Sequence, residues 1–97
     1  MAKYAMVDDF GLSNIKMHTR NYSDHERNMI LSFFAGCKCE AVGGLVTDAI
    51  TGESMRKENL SYSKDGYIFN ENDIYHLKKY DAAVTDEFYD HVMKGIN

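Results

Sequence analysis

The sequence predicts a single α+β domain, in which an antiparallel sheet of about four to six strands is joined by one helix in the N-terminal half and two short C-terminal helices. Three observations lead to this prediction. Helical spacing of apolar residues begins after capping residues, period-two spacing fills the middle of the chain, and 97 residues are too few for two separate cores. The domain spans residues 1–97, with the order β-β-α-β-β-β-β-α-α.

Two segments near the N-terminus alternate between apolar and polar residues. They are residues 3–7 ("KYAMV") and 12–18 ("LSNIKMH"), and the turn-prone sequence "DDFG" lies between them. This pattern predicts two strands joined by a turn.

A helix is predicted over residues 24–35. Ser23 is followed three residues later by Glu26, which is the spacing of a capping box. Apolar residues then recur on one face of the helix: Ile30, Phe33, Phe34. Gly36 is expected to end the helix in the left-handed conformation.

Residues 37–70 alternate with period two, which predicts strands and tight turns. Gly52 suits a turn that requires positive φ, and Asp65-Gly66 favours a two-residue type I′ hairpin turn. The turn fixes the register of the hairpin. The predicted opposite pairs are Lys64 with Tyr67 and Tyr62 with Phe69.

Two short helices are predicted after this hairpin. Asn70 can cap the helix "ENDIYHLKKY", and Thr85 can cap "DEFYDHVMKG", which Gly95 would end. In the second of these helices, Phe88 and Val92 fall on the side that faces the core.

The two cysteines, Cys37 and Cys39, are candidates for metal or redox chemistry. A zinc site normally takes four ligands in paired loops, and a redox pair has the form Cys-x-x-Cys at a helix N-terminus. This chain has a Cys-x-Cys pair after a helix instead. We therefore interpret the cysteines as packing residues, with Cys37, Cys39 and Ala41 on the buried face of a strand.

A second candidate metal site combines Asp73 and His76 with Glu87 and His91. Each pair lies on one face of a predicted helix, so two antiparallel helices could bring the four side chains together. Such spacings also arise by chance on solvated helix faces. We therefore expect no metal, no cofactor and no catalysis.

Nucleic acid and membrane are not expected as direct partners. A DNA-recognition helix usually begins with basic or amide side chains, but the last helix begins with Asp86 and Glu87. The longest apolar run, residues 29–37, is too short to span a bilayer. Because the N-terminus has no signal-peptide pattern, we expect a cytoplasmic protein.

The acidic charge is unevenly distributed. Residues 1–64 contain eight basic and eight acidic residues, whereas residues 65–97 contain three basic and seven acidic residues, so the last third carries the whole net charge of −4. Five of the seven tyrosines lie between residues 62 and 89. Tyrosine is enriched in protein interfaces, and an acidic surface suits a basic partner.

The sequence therefore predicts a small acidic protein-binding module that acts without catalysis. Its C-terminal helices would dock on a basic surface of a partner protein, which could itself bind nucleic acid. The short, acidic, proline-free composition is typical in style of inhibitors and accessory proteins encoded by bacteriophages and mobile elements. The predicted contact residues are Tyr75, Tyr80, Asp81, Asp86, Glu87, Tyr89 and Asp90.

Two alternatives stay open. The chain could bind or sequester a small molecule or a nucleotide signal, and a domain of this size could gain stability as a homodimer. The less favoured alternative is a metal-dependent enzyme that uses the cysteines or the Asp73, His76, Glu87 and His91 set.

Overall fold

The computed structural model describes residues 3–10 and 16–95 and confirms the α+β class. In these residues, four strands form one sheet, with one helix in the first half of the chain and two helices at its C-terminal end. The elements are β1 Lys3–Tyr4, α1 Asp24–Ala35, β2 Lys38–Thr47, β3 Ser54–Lys64, β4 Tyr67–Asn70, α2 Glu71–Tyr80 and α3 Asp86–Lys94.

Helix α1 begins at the predicted capping box. The Ser23 hydroxyl accepts a hydrogen bond from the Glu26 N–H at 3.1 Å, and the Glu26 carboxylate accepts one from the Ser23 N–H at 2.8 Å. The expectation for Gly36 is wrong, because its φ is −90°. The helix ends instead in a tight turn, in which the Cys37 N–H bonds to the Phe34 carbonyl at 3.3 Å.

The β3–β4 hairpin has the predicted register. The opposite pairs are Lys64 with Tyr67 and Tyr62 with Phe69. Asp65 and Gly66 have φ values of 54° and 82°, as a type I′ turn requires. Gly52 also has a positive φ, 77°, in the turn between β2 and β3.

The sheet is mixed rather than wholly antiparallel, with the strand order β1-β4-β3-β2. Strand β1 lies parallel to β4, and Lys3 pairs with Tyr67. Of the strand predicted over residues 12–18, residues 12–15 lie outside the described residues, and residues 16–18 are not in a strand.

The strand predicted over residues 3–7 is shortened because the chain turns towards the connection between α2 and α3. There the Ala5 carbonyl accepts a hydrogen bond from the Thr85 N–H at 2.9 Å, and the Val7 N–H donates to the Ala83 carbonyl at 3.0 Å. The Ala5 N–H still donates to the Ile68 carbonyl of β4 at 2.9 Å, so Ala5 joins the sheet to this distant loop and residues 6–7 continue along the loop.

Strand β2 forms one edge of the sheet and is irregular. Register shifts interrupt its pairing with β3, and residues 39–45 are exposed. Two of its apolar side chains are strongly exposed: Val42 at 61% and Leu45 at 52%. The prediction that Cys39 and Ala41 would be buried is therefore wrong, because α2 contacts β2 further along, where Val46 is buried.

The core lies between the sheet and the helices. The Phe34 ring of α1 lies 4.1 Å from the Phe69 ring of β4 and 5.7 Å from the Phe88 ring of α3, measured between centroids. Leu77 and Val92 are buried in the same cluster. Phe88 and Val92 thus occupy the predicted core positions, and they fix which side of α3 faces solvent.

Helices α2 and α3 begin at the predicted caps. The Asn70 side chain accepts a hydrogen bond from the Asp73 N–H at 3.0 Å, and the Thr85 hydroxyl accepts one from the Phe88 N–H at 3.1 Å. Gly95 ends α3 as predicted.

Candidate functional site

Helix α3 presents three carboxylates on its first two turns, and we call this surface the α3 acidic face: Asp86, Glu87, Asp90. Because Phe88 and Val92 are buried on the opposite side, the helical period directs the acidic residues outwards. The Asp86 side chain is 96% exposed and the Glu87 side chain 57% exposed, and Asp90 is exposed as well.

Basic residues from the first part of the chain partly neutralise this face. Arg20 donates to Asp86 at 3.0 Å, and Lys3 donates to Glu87 at 2.5 Å. Asp90 makes no hydrogen bond or ion pair with the residues that the structure describes. The acidic excess of the C-terminal third is therefore balanced in part within the molecule.

Two more of the predicted contact residues hold helices together. Asp81 accepts from the Arg27 guanidinium of α1 at 2.9 Å, and the Tyr89 hydroxyl donates to the Glu26 carboxylate. The Arg20 guanidinium lies over the Tyr89 ring, 3.8 Å from its centroid. Tyr89 is therefore half-buried, with its hydroxyl and one ring face already in use.

The last two predicted contact residues bind a buried carboxylate, and we call this group the Asp48 cluster: Asp48, Tyr75, Lys79, Tyr80. The Tyr75 and Tyr80 hydroxyls both donate to Asp48 Oδ2 at 2.7 Å. Lys79 Nζ lies 3.5 Å from the same oxygen. The cluster fastens the turn between β2 and β3 to α2, so these two half-buried tyrosines have a structural role.

Asp48 also accepts hydrogen bonds from its own turn. The N–H groups of Ile50 and Thr51 donate to Oδ1 at 2.8 and 3.0 Å. Burial alone would raise the pKa of Asp48, but the bonds from the tyrosines and the backbone outweigh it, so the pKa lies well below its ordinary value. The carboxylate is ionised at neutral pH, and it is 0% exposed.

His76 is a buried structural histidine. Its Nδ1–H donates to the Asn72 carbonyl at 2.7 Å, and its Nε2 accepts from the Ala49 N–H at 2.9 Å. Because the Ala49 N–H can only donate, the ring is neutral and carries its proton on Nδ1. Burial lowers the pKa of His76, and both ring nitrogens are occupied, so neither can bind a metal ion.

The structure does not bring together the four residues of the candidate metal site. Asp73 accepts from the Tyr4 hydroxyl at 2.6 Å, while His91 Nε2 lies 3.1 Å from Asp65. Glu87 is held by its ion pair at the molecular surface. Among the described residues, no group of three or more His, Cys, Asp or Glu is arranged to hold a metal ion.

Neither cysteine belongs to such a group in the part of the chain that the structure describes. Cys37 is half-buried, and its thiol donates to the Phe33 carbonyl at 3.2 Å, while Cys39 is exposed. Burial raises the pKa of the Cys37 thiol, which disfavours the reactive thiolate.

Sequence reasoning did not identify Asp48. An aspartate at the start of "DAITG" is a signal for a side-chain-capped turn, and this signal could have predicted its two backbone hydrogen bonds. No local pattern predicts the bonds from the tyrosines.

No helix in the described ranges is long and apolar enough to cross a membrane. The chain matches no protein-family model, and no curated protein and no solved structure gives a significant match. A proposal for its function therefore depends on the geometry of its own surface.

Proposed function

We propose that this chain is a non-catalytic protein-binding module that docks its α3 acidic face on a basic surface of a partner protein in the cytoplasm. The observation that carries the proposal is the exposure of the Asp86, Glu87 and Asp90 carboxylates on two successive turns of one helix. Carboxylates in a row on a rigid helix complement a basic surface and steer its approach. A partner that otherwise holds nucleic acid would present such a surface, and the chain would then act as an inhibitor or accessory protein of the kind found in phages.

The ion pairs on this face are compatible with docking. Arg20 and Lys3 form exposed pairs with Asp86 and Glu87, and exposed pairs contribute little to stability because water screens them. Arginines or lysines of a partner can therefore replace them at small cost. Asp90 is available without any exchange.

The seven predicted contact residues are not equally supported. The hydroxyls of Tyr75, Tyr80 and Tyr89 are bound within the molecule, and Asp81 is bound to Arg27. The three carboxylates of the α3 acidic face thus carry the proposal, and of the three tyrosines only Tyr89 belongs to the same helix.

A charge reversal on this face should weaken binding to a basic ligand. We expect the double variant Asp86→Lys and Asp90→Lys to bind a fluorescent oligoarginine peptide about tenfold or more weakly than the wild type at low salt. Fluorescence anisotropy measures this change. Glu87 is left unchanged so that its pair with Lys3 persists.

A matched control separates the position of the charges from their number. Glu53 and Glu58 are exposed carboxylates outside α3. The double variant Glu53→Lys and Glu58→Lys therefore has the same net charge as the α3 variant. We expect it to bind the peptide nearly as tightly as the wild type. Equal weakening by both variants would show that only net charge matters and would refute the docking site.

We propose in addition that β2 is the edge through which the chain forms a homodimer. Residues 41–47 carry no charge, so a second copy of this strand meets no like-charge repulsion along them. An exposed apolar edge strand also offers unpaired backbone groups that another strand can satisfy. Val42 and Leu45 lie exposed on this edge.

Sedimentation velocity tests the dimer. We expect the wild type to sediment as a concentration-dependent dimer and Leu45→Lys as a monomer, because a lysine charge would face its symmetry mate across the edge. Ile50→Lys is the control, since Ile50 is similarly exposed (57%) but lies in the turn after β2. A monomeric wild type, or equal loss of the dimer in both variants, would contradict the proposal.

A further inference from the structure

A groove runs along one side of helix α2 and shares no residue with the α3 acidic face. It consists of two adjoining cavities with volumes of about 280 and 140 Å³. The same four side chains line both cavities: Lys57, Glu71, Ile74, Lys78. We call this feature the α2 groove.

The walls of the α2 groove combine polar and apolar side chains. Leu31 and Phe34 of α1 line the larger cavity, and Val46 and Met55 line the smaller one. Ile74 lines both cavities. The space is at the low end of the range for ligand pockets, so it suits a small molecule rather than a large cofactor.

The charges in the groove do not cancel. Lys57 Nζ lies 3.0 Å from the Glu71 carboxylate, which also accepts from the Tyr62 hydroxyl. Lys78 lies on the same side of α2, one turn after Ile74, and forms no hydrogen bond or ion pair with the described residues. One anionic and two cationic side chains thus leave one positive charge uncompensated.

The net charge of the groove depends on whether Glu71 is ionised. Burial alone would raise the pKa of Glu71, but the hydrogen bond from Tyr62 and the charges of Lys57 and Lys78 outweigh it and lower the pKa. The carboxylate is therefore ionised at neutral pH and already occupied by two donors. Among the described residues that line the groove, Lys78 is therefore the cation that forms no ion pair.

We infer that the α2 groove binds a small organic anion with an apolar body. The anionic group would lie against Lys78, with Lys57 nearby, and the apolar body would lie on Ile74 and the side chains of α1. This site is independent of the proposed docking of α3, because the two surfaces share none of these residues.

Anilinonaphthalene sulfonate is a suitable probe because it joins an aromatic body to a permanent negative charge. We expect saturable binding by fluorescence titration and a loss of affinity of about fivefold in Lys78→Gln. Lys16→Gln removes an exposed positive charge outside the groove and should leave the affinity unchanged. Neutral N-phenylnaphthylamine should bind wild type and Lys78→Gln equally, because the lost contact is electrostatic.

The location of the probe needs its own measurement, since a cavity between α1 and α3 also has apolar walls. We expect the probe to shift the methyl NMR signals of Ile74 and Leu31 and to leave that of Val92 unchanged. Absence of saturable binding, equal loss of affinity in Lys78→Gln and Lys16→Gln, or shifts confined to Val92 would each overturn the inference. Charge reversal on α3 should not affect these results, so failure here and failure of the docking proposal are distinguishable.

Discussion

Asp48→Ala should destabilise the protein by about 3 kcal/mol or more, because it leaves several buried donors without an acceptor. The Tyr75 and Tyr80 hydroxyls would lose the oxygen that both contact at 2.7 Å. The turn would lose the acceptor of two backbone N–H groups, and Lys79 would lose its neighbouring charge. Since the Asp48 carboxylate is fully buried, water cannot replace it without opening the structure.

Urea unfolding followed by circular dichroism measures this loss. Asp90→Ala is the matched control, because Asp90 is an exposed aspartate that makes no hydrogen bond with the described residues, and its removal should change the midpoint very little. Asp48→Asn keeps the shape and one acceptor oxygen, so we expect an intermediate loss. If Asp48→Ala and Asp90→Ala unfold at the same urea concentration, the Asp48 cluster does not hold the turn to α2.

The elements that the sequence predicts correctly depend on short-range geometry. The capping box joins Ser23 to Glu26, three residues away, and the Asp65-Gly66 turn fixes the hairpin because both residues adopt positive φ. Such contacts leave a signal in a window of a few residues.

The pairing of β1 could not be predicted in this way. Lys3 pairs with Tyr67, and the contact that ends the strand joins Ala5 to Thr85, so the partners lie more than sixty residues apart. The alternation of residues 3–7 shows that the segment can be extended, but alternation does not identify its partner.

The tyrosines show the same limit at the candidate site. Tyr75 and Tyr80 lie 27 and 32 residues from Asp48 in the sequence, and nothing near them predicts a buried carboxylate. Composition alone therefore suggested an exposed aromatic surface. The pattern of acidic residues on α3 was more informative, because Phe88 and Val92 fix which side of that helix is buried.

Asp73→Asn should change how stability depends on pH. Asp73 is 0% exposed, and its carboxylate accepts from the Tyr4 hydroxyl at 2.6 Å and the Asn70 N–H at 2.8 Å. Burial raises the pKa of Asp73 to about 7, the nearby charge of Asp9 adds to the rise, and the two hydrogen bonds only partly oppose it.

The direction of the effect follows from proton binding. The unfolded pKa of an aspartate is about 3.9, so between about pH 4 and pH 7 the folded state holds a proton that the unfolded state has released. Stability from this group therefore falls as the pH rises, by about 1.4 kcal/mol per pH unit, and stays constant above the folded pKa. His76 acts in the opposite direction, because its lowered pKa makes the folded state resist protonation as the pH falls below about 6.5. Because His76 is present in both proteins, its effect cancels in the stability difference between Asp73→Asn and the wild type.

Unfolding of both proteins at several pH values between 5 and 8 tests this prediction. We expect the free energy of unfolding of the variant to increase relative to that of the wild type as the pH rises to about 7, by a total on the order of 3 kcal/mol. The difference should then level off. Glu26→Gln is a matched control, because Glu26 holds the same position in the capping box of α1. The hydrogen bonds from Tyr89 and Ser23 lower the pKa of Glu26 to about 2, so it is ionised throughout this range and its difference from the wild type should not depend on pH. If Asp73→Asn behaves in the same way as Glu26→Gln, then Asp73 is ionised in the folded protein, and its hydrogen bonds outweigh its burial.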